Sequence, residues 1–121
     1  MKIGNHILPD KVSVLGTVYK IFYTTDETDP KMKGNDGYCE INNKQICIDR
    51  KLFETSNDPK VFARLDKQGF KVLRHEIIHA FINESGLWEN CEWARNEEMT
   101  DWIAKQFPKI SKVFTELGVD N

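Results

Sequence analysis

Apolar positions change their period along this chain, and the change divides it into a β-forming half and a helical half. From Val12 to Thr25 the sequence is dense in β-branched and aromatic residues, which predicts a strand centred on residues 17–24. Gly16 marks a bend or bulge at its start. Residues 1–11 are mixed and end in Pro9-Asp10, an arm or short strand in which His6 reads as a solvated surface residue. Tyr38-Cys39-Glu40-Ile41 and Ile46-Cys47-Ile48-Asp49 each alternate with period two, around Asn42-Asn43-Lys44-Gln45, and this predicts a hairpin. Residues 26–37 are polar turn formers and read as a solvated loop. Their carboxylates lack the spacing of a calcium loop.

The second half has helical period. Asp58-Pro59 supplies an N-cap followed by proline at the first helical position, and the pattern runs to about Glu84, where Ser85-Gly86 ends it. Gly69 costs about 1 kcal/mol relative to alanine in a helix interior, so a break near residues 66–69 is expected as one of two outcomes. Leu87 to Glu92 is a connector. Trp93 to Phe107 predicts a second helix that buries Trp93, Met99, Trp102, Ile103 and Phe107. Pro108 is expected to open a last helix that gathers Ile110, Val113, Phe114 and Leu117 on one side. The fold class is therefore α+β. A small, mostly antiparallel sheet packs on the long helix, and a carboxylate-bearing helix and a C-terminal helix follow.

The 121 residues suit a single domain spanning 1–121. Net charge is −2, with no basic stripe carrying interleaved aromatics, which argues against a nucleic-acid surface. No apolar run is long enough to span a membrane, and the first residues lack the core of a secretory signal, so a cytoplasmic protein is expected. Three cysteines, Cys39, Cys47 and Cys91, match no zinc-knuckle spacing and read as reduced, packed thiols. Oligomeric state is left open.

Within the long helix lies His75-Glu76-Ile77-Ile78-His79, an H-E-x-x-H pattern. On a helix, residues four apart share a face with Cβ atoms about 5–6 Å apart, so both imidazoles can close on one zinc ion. Glu76 points to a different part of the helix surface, where it is placed to act on water rather than to bind the metal. The competing explanation is a helix with one packed and one solvated histidine. A catalytic zinc takes three protein ligands and an open position. The metzincin extension is absent, because Ile82 and Ser85 stand where its glycine and histidine belong, and His6 is remote. A carboxylate from the next helix is then expected as third ligand.

That helix carries Asn96-Glu97-Glu98-Met99-Thr100-Asp101. H-E-x-x-H followed by Asn-Glu-x-x-x-Asp resembles the gluzincin pattern, and the outline is similar to minimal gluzincins and to the ImmA/IrrE-type metallopeptidases of phages and mobile elements. The resemblance covers roughly residues 37–114, with only the five metal-site positions specific. It implies a zincin-like domain with Glu97 as third ligand, and Asp101 accepting a hydrogen bond from His75. Glu98, rotated by about 100° from Glu97, takes its place if the helix starts one residue later. Larger thermolysin-like enzymes supply a later tyrosine or histidine to the oxyanion. None follows His79 here, which leaves Tyr38, Tyr19, Tyr23 or backbone N–H groups.

The function expected is zinc-dependent hydrolysis of a peptide or protein substrate by an endopeptidase, with Glu76 as the base and His75, His79 and Glu97 holding Zn2+. The substrate is expected to lie extended along a sheet edge, for which Tyr38, Cys39, Glu40 and Ile41 are the candidate strand and Gly37 a point of close backbone approach. The rivals are a non-catalytic zincin-like module, whose zinc is structural and whose surface binds a partner protein, and a metal-free helical regulator.

Overall fold

The computed structural model describes residues 1–54 and 58–121, and shows a small α+β domain. A two-stranded ribbon, β1 (Lys2–Ile3) and β2 (His6–Ile7), precedes a four-stranded sheet of β3 (Lys11–Val14), β4 (Thr17–Thr24), β5 (Gly37–Glu40) and β6 (Gln45–Asp49). The sheet order is β3-β4-β6-β5. Two pairings are antiparallel, β3 with β4 and β5 with β6, and the central pairing of β4 with β6 is parallel. β5 is therefore an edge strand.

The β3–β4 hairpin turns through Leu15 (φ 49°) and Gly16 (φ 89°), two successive positive-φ residues of the kind a tight hairpin requires. Along β4, Tyr19, Ile21 and Tyr23 are buried while Val18, Lys20 and Phe22 face outward. With Ile46, Ile48, Phe53, Val72, Leu73 and Ala80 they form the core. The 26–36 segment is more than a solvated loop. Met32 is buried, and the Tyr38 hydroxyl donates to Asp29 at 2.5 Å, so the segment is tied to the sheet. His6 is likewise not a free surface group, because its ring packs edge-on against Phe53 (5.6 Å) and Phe70 (5.5 Å).

Helix α1 (Pro59–Glu84) is continuous, capped by the Asp58 side chain on the Lys60 N–H. Gly69 does not break it. A Cβ there would stand 2.7 Å from the Phe53 ring, so glycine provides room for an aromatic neighbour rather than a hinge. Gly37 is similar. Its missing side chain is replaced by Val72 Cγ1, 2.8 Å from an ideal Cβ, so the close approach there is made by the protein's own helix. The C-terminal end of α1 is pinned to the sheet by Glu84, which accepts from Tyr19 Oη (2.9 Å) and Lys44 Nζ (3.0 Å).

After Gly86, in the left-handed region as expected, come the one-turn helix α2 (Leu87–Asn90) and a turn at Trp93–Arg95. Helix α3 (Glu97–Leu117) starts at Asn96, whose side chain accepts the Met99 N–H at 2.8 Å. This corrects two expectations. The second helix begins at Glu97 rather than Trp93, and Pro108 lies inside it instead of opening another. Pro108 cannot donate to the Ala104 carbonyl. Arg74 Nε on α1 does so instead, at 2.7 Å. The expected apolar stripe is also displaced, since Trp93 and Trp102 are each 58% exposed and Phe107, Val113, Phe114 and Leu117 are exposed too. Thr100 and Ala104 are the buried residues of α3, small side chains that let it lie close against α1. Among the described residues no helix is long and apolar enough to cross a membrane.

Candidate metal centre

The antiparallel contact of α1 with the start of α3 brings four side chains together. His75 and His79 share one face of α1, and their Nε2 atoms are 3.1 Å apart. Glu97, the first residue of α3, places Oε2 2.9 Å from His75 Nε2 and 3.2 Å from His79 Nε2. His75 Nδ1 faces Asp101 Oδ1 at 3.3 Å. Asp101 is held in turn by Lys71 Nζ at 3.2 Å. Because Asn96 is the N-cap, Glu97 and Asp101 are one turn apart and both turn toward α1. Glu98 is exposed and is not brought to the histidines.

These distances suit a common cation. Ligand atoms about 2.0–2.1 Å from a tetrahedral zinc stand roughly 3.3 Å from one another. A carboxylate on Nδ1 selects the His75 tautomer that leaves a lone pair on Nε2. Two imidazole lone pairs and a carboxylate oxygen converging at about 3 Å repel one another unless protons or a cation lie between them. Ligand atoms of His75, Glu76 and His79 also lie within 4.8 Å of one another. The donor set of two imidazoles and carboxylates fits zinc and does not by itself exclude other divalent transition metals.

Burial shapes the electrostatics. Glu76 is 6% exposed, and burial, with the Glu97 carboxylate adding repulsion, pushes its carboxyl up to about 8. Burial lowers the pKa of His79, against the opposing pull of Glu97, which favours the neutral ligand form. Its Nδ1 is buried without a hydrogen-bond partner among the described residues. For Asp101, partial burial opposes ionisation, but Lys71 and then His75 outweigh it and the pKa is lowered.

The cluster forms one wall of a cleft of about 460 Å³, and the opposite wall is the sheet edge: Gly37, Tyr38, Cys39 and, just past β5, Ile41. Glu40 is not in the cleft wall and pairs with Lys31 Nζ at 2.9 Å. Of the three tyrosines, only Tyr38 lines the cleft, and its hydroxyl is engaged by Asp29. Tyr19 bonds Glu84, and Tyr23 donates to the Pro9 carbonyl at 2.7 Å. Sequence reasoning missed two cleft residues, Trp88 and Asn35. Trp88 stands edge-on to the His79 ring at 6.0 Å. Its signal was a tryptophan two residues after the Gly86 cap, in a stretch read only as a connector. Asn35 lay in the loop taken as solvated.

Neither family models nor curated proteins nor solved structures give a match to this chain.

Proposed function

We propose that this protein is a small zinc-dependent peptidase of gluzincin type. One observation carries the reading: His75 Nε2, His79 Nε2 and Glu97 Oε2 converge within 2.9–3.2 Å in a cleft whose other wall is an edge strand. His75, His79 and Glu97 would hold the ion, which supplies Lewis acidity toward water and a peptide carbonyl.

The remaining chemistry belongs to the chain. Asp101 fixes the His75 ring and its tautomer, and Lys71 fixes Asp101. Glu76 would be held in its carboxylate form, against its burial, by a cation on His75, His79 and Glu97. As a carboxylate in the cleft wall it takes a proton from the attacking water and returns it to the leaving amine. The free edge of β5 pairs with an extended substrate backbone, which positions the bond to be cut. The test is hydrolysis of an unstructured protein by zinc-loaded chain and by Glu76→Gln. The variant should retain metal and lose turnover by at least about a hundredfold. Unchanged turnover would remove Glu76 as the base.

The engagement of Tyr38 by Asp29 favours a second reading, because the tyrosine of the cleft wall gives its hydroxyl proton to Asp29 rather than to an oxyanion. In that reading the zinc site is structural and the surface binds a partner protein. Zinc bound at one per chain, with no turnover of any unstructured substrate by the parent, selects it.

A further inference from the structure

The two helices that hold the metal cluster continue past it as a second, differently charged site. On α1, residues 67, 71, 75 and 79 recur at one-turn spacing, and on α3 residues 97, 101, 105 and 109 do the same. His79 meets Glu97, His75 meets Asp101, and Arg74 reaches Ala104, so the helices run antiparallel. The next steps of this ladder set Lys105 beside Lys71 and Lys109 beside Lys67. All four lysines line one groove of about 760 Å³, in which Asp101 is the carboxylate among the described residues. Of these four lysines, Lys71 has an acidic partner among the described residues, Asp101, and Lys67, Lys105 and Lys109 have none there. A smaller hollow of about 210 Å³, bordered by Asp36, Gln68, Lys71, His75, Glu76 and Asp101, joins this groove to the cleft; its carboxylates confine the basic subsite to the lysines beyond it.

We propose that this groove binds acidic side chains of the polypeptide substrate on one side of the bond to be cut, an inference that rests on the peptidase reading of the cleft. Like charges facing each other across two helices are unfavourable until an anion lies between them. The occupant is polypeptide because the groove opens into a cleft walled by an edge strand. A nucleic-acid backbone needs a longer basic track than this short groove, which Asp101 interrupts on a chain of net charge −2. One and two helical turns from His75 are about 6 and 12 Å, and an extended chain advances about 3.3 Å per residue. The preferred acids therefore fall about two to four residues from the scissile bond.

The experiment uses fluorescently labelled peptides that share one neutral core, flanked by glutamates, glutamines or lysines, titrated into zinc-loaded Glu76→Gln chain. The glutamate-flanked peptide should bind about tenfold or more tighter than the glutamine-flanked one, and the advantage should shrink as salt rises. Lys67, Lys105 and Lys109 are exposed, so the triple variant Lys67→Glu, Lys105→Glu, Lys109→Glu should fold and should reverse the preference toward the lysine-flanked peptide. Equal binding of the glutamate and glutamine peptides, an unreversed preference in the variant, or tighter binding of a single-stranded oligonucleotide each overturns the proposal. Turnover separates the two claims. Hydrolysis by the parent chain without charge preference keeps the peptidase and removes the acidic-substrate groove. Charge-dependent binding without hydrolysis keeps the groove and removes the peptidase.

Discussion

Arg74 Nε donates to the Ala104 carbonyl at 2.7 Å, and that carbonyl is the one Pro108 leaves without its helical partner. One side chain from α1 thus allows α3 to pass through a proline unbroken and sets the closeness of the two helices that carry the candidate ligands. Burial makes the guanidinium costly, lowering its pKa, and the bond offsets that cost. Arg74→Met should destabilise by about 1–2 kcal/mol, the cost of an unmet carbonyl. In a Pro108→Ala background, where a backbone N–H is restored, the same change should cost less. Urea unfolding of the four chains measures the coupling. Equal costs in both backgrounds would show that Arg74 does not substitute for the lost bond.

Gly69→Ala should destabilise, although helix propensity alone favours alanine by about 1 kcal/mol. The added methyl meets the Phe53 ring at 2.7 Å, and overpacking of this kind costs about 1–3 kcal/mol. Pairing it with Phe53→Leu should recover part of the loss. A stabilised Gly69→Ala chain, by thermal unfolding, would contradict this packing.

Leu15 sits at φ 49° in the β3–β4 turn with its side chain exposed. A left-handed conformation costs a β-carbon residue roughly 1–2 kcal/mol, and asparagine tolerates it best. Leu15→Asn should raise stability by about 0.5–1 kcal/mol in chemical denaturation, with the hairpin register unchanged.

Acid should weaken the attachment of α1 to the sheet. Hydrogen bonds from Thr17, Lys44 and Tyr19 hold the Glu84 carboxyl down to about 2. A depressed carboxylate contributes stability above its unfolded pKa, near 4.3, and loses that contribution as pH falls toward its folded value. Stability should therefore decline between about pH 4.5 and pH 2, and Glu84→Gln should flatten that part of the profile while lowering stability at pH 7. The side chain is 12% exposed, so the effect persists in moderate salt. A profile through this range identical in parent and variant would show that Glu84 does not anchor the helix.

Local chemistry made much of this legible. β-branched and aromatic density located the 17–24 strand, alternation located the 38–49 hairpin, and Asp58-Pro59 and Gly86 bracketed α1. The H-E-x-x-H spacing put two histidines on one face, and the resemblance pointed to Glu97. The helix start at Asn96 turns Glu97 rather than Glu98 toward them, whereas the sequence pattern places that start at Trp93. The misses required partners distant in sequence. Gly69 reads as a weak point until Phe53 is seen beside it, and Pro108 reads as a stop until Arg74 is seen to supply its missing bond. On a helix starting at Trp93, Trp93 and Trp102 are expected at buried positions, whereas close helix contact selected Thr100 and Ala104. The parallel pairing of β4 with β6 is set across an intervening strand, which no local pattern records.

The central claim is that His75, His79 and Glu97 together hold one zinc ion, and metal content tests it most directly. Protein purified without added metal should carry about one zinc per chain, and His75→Ala and Glu97→Ala should each lose it or bind it far more weakly while remaining folded. Absence of zinc from the parent, or undiminished zinc in the Glu97→Ala chain, would contradict the three-ligand centre.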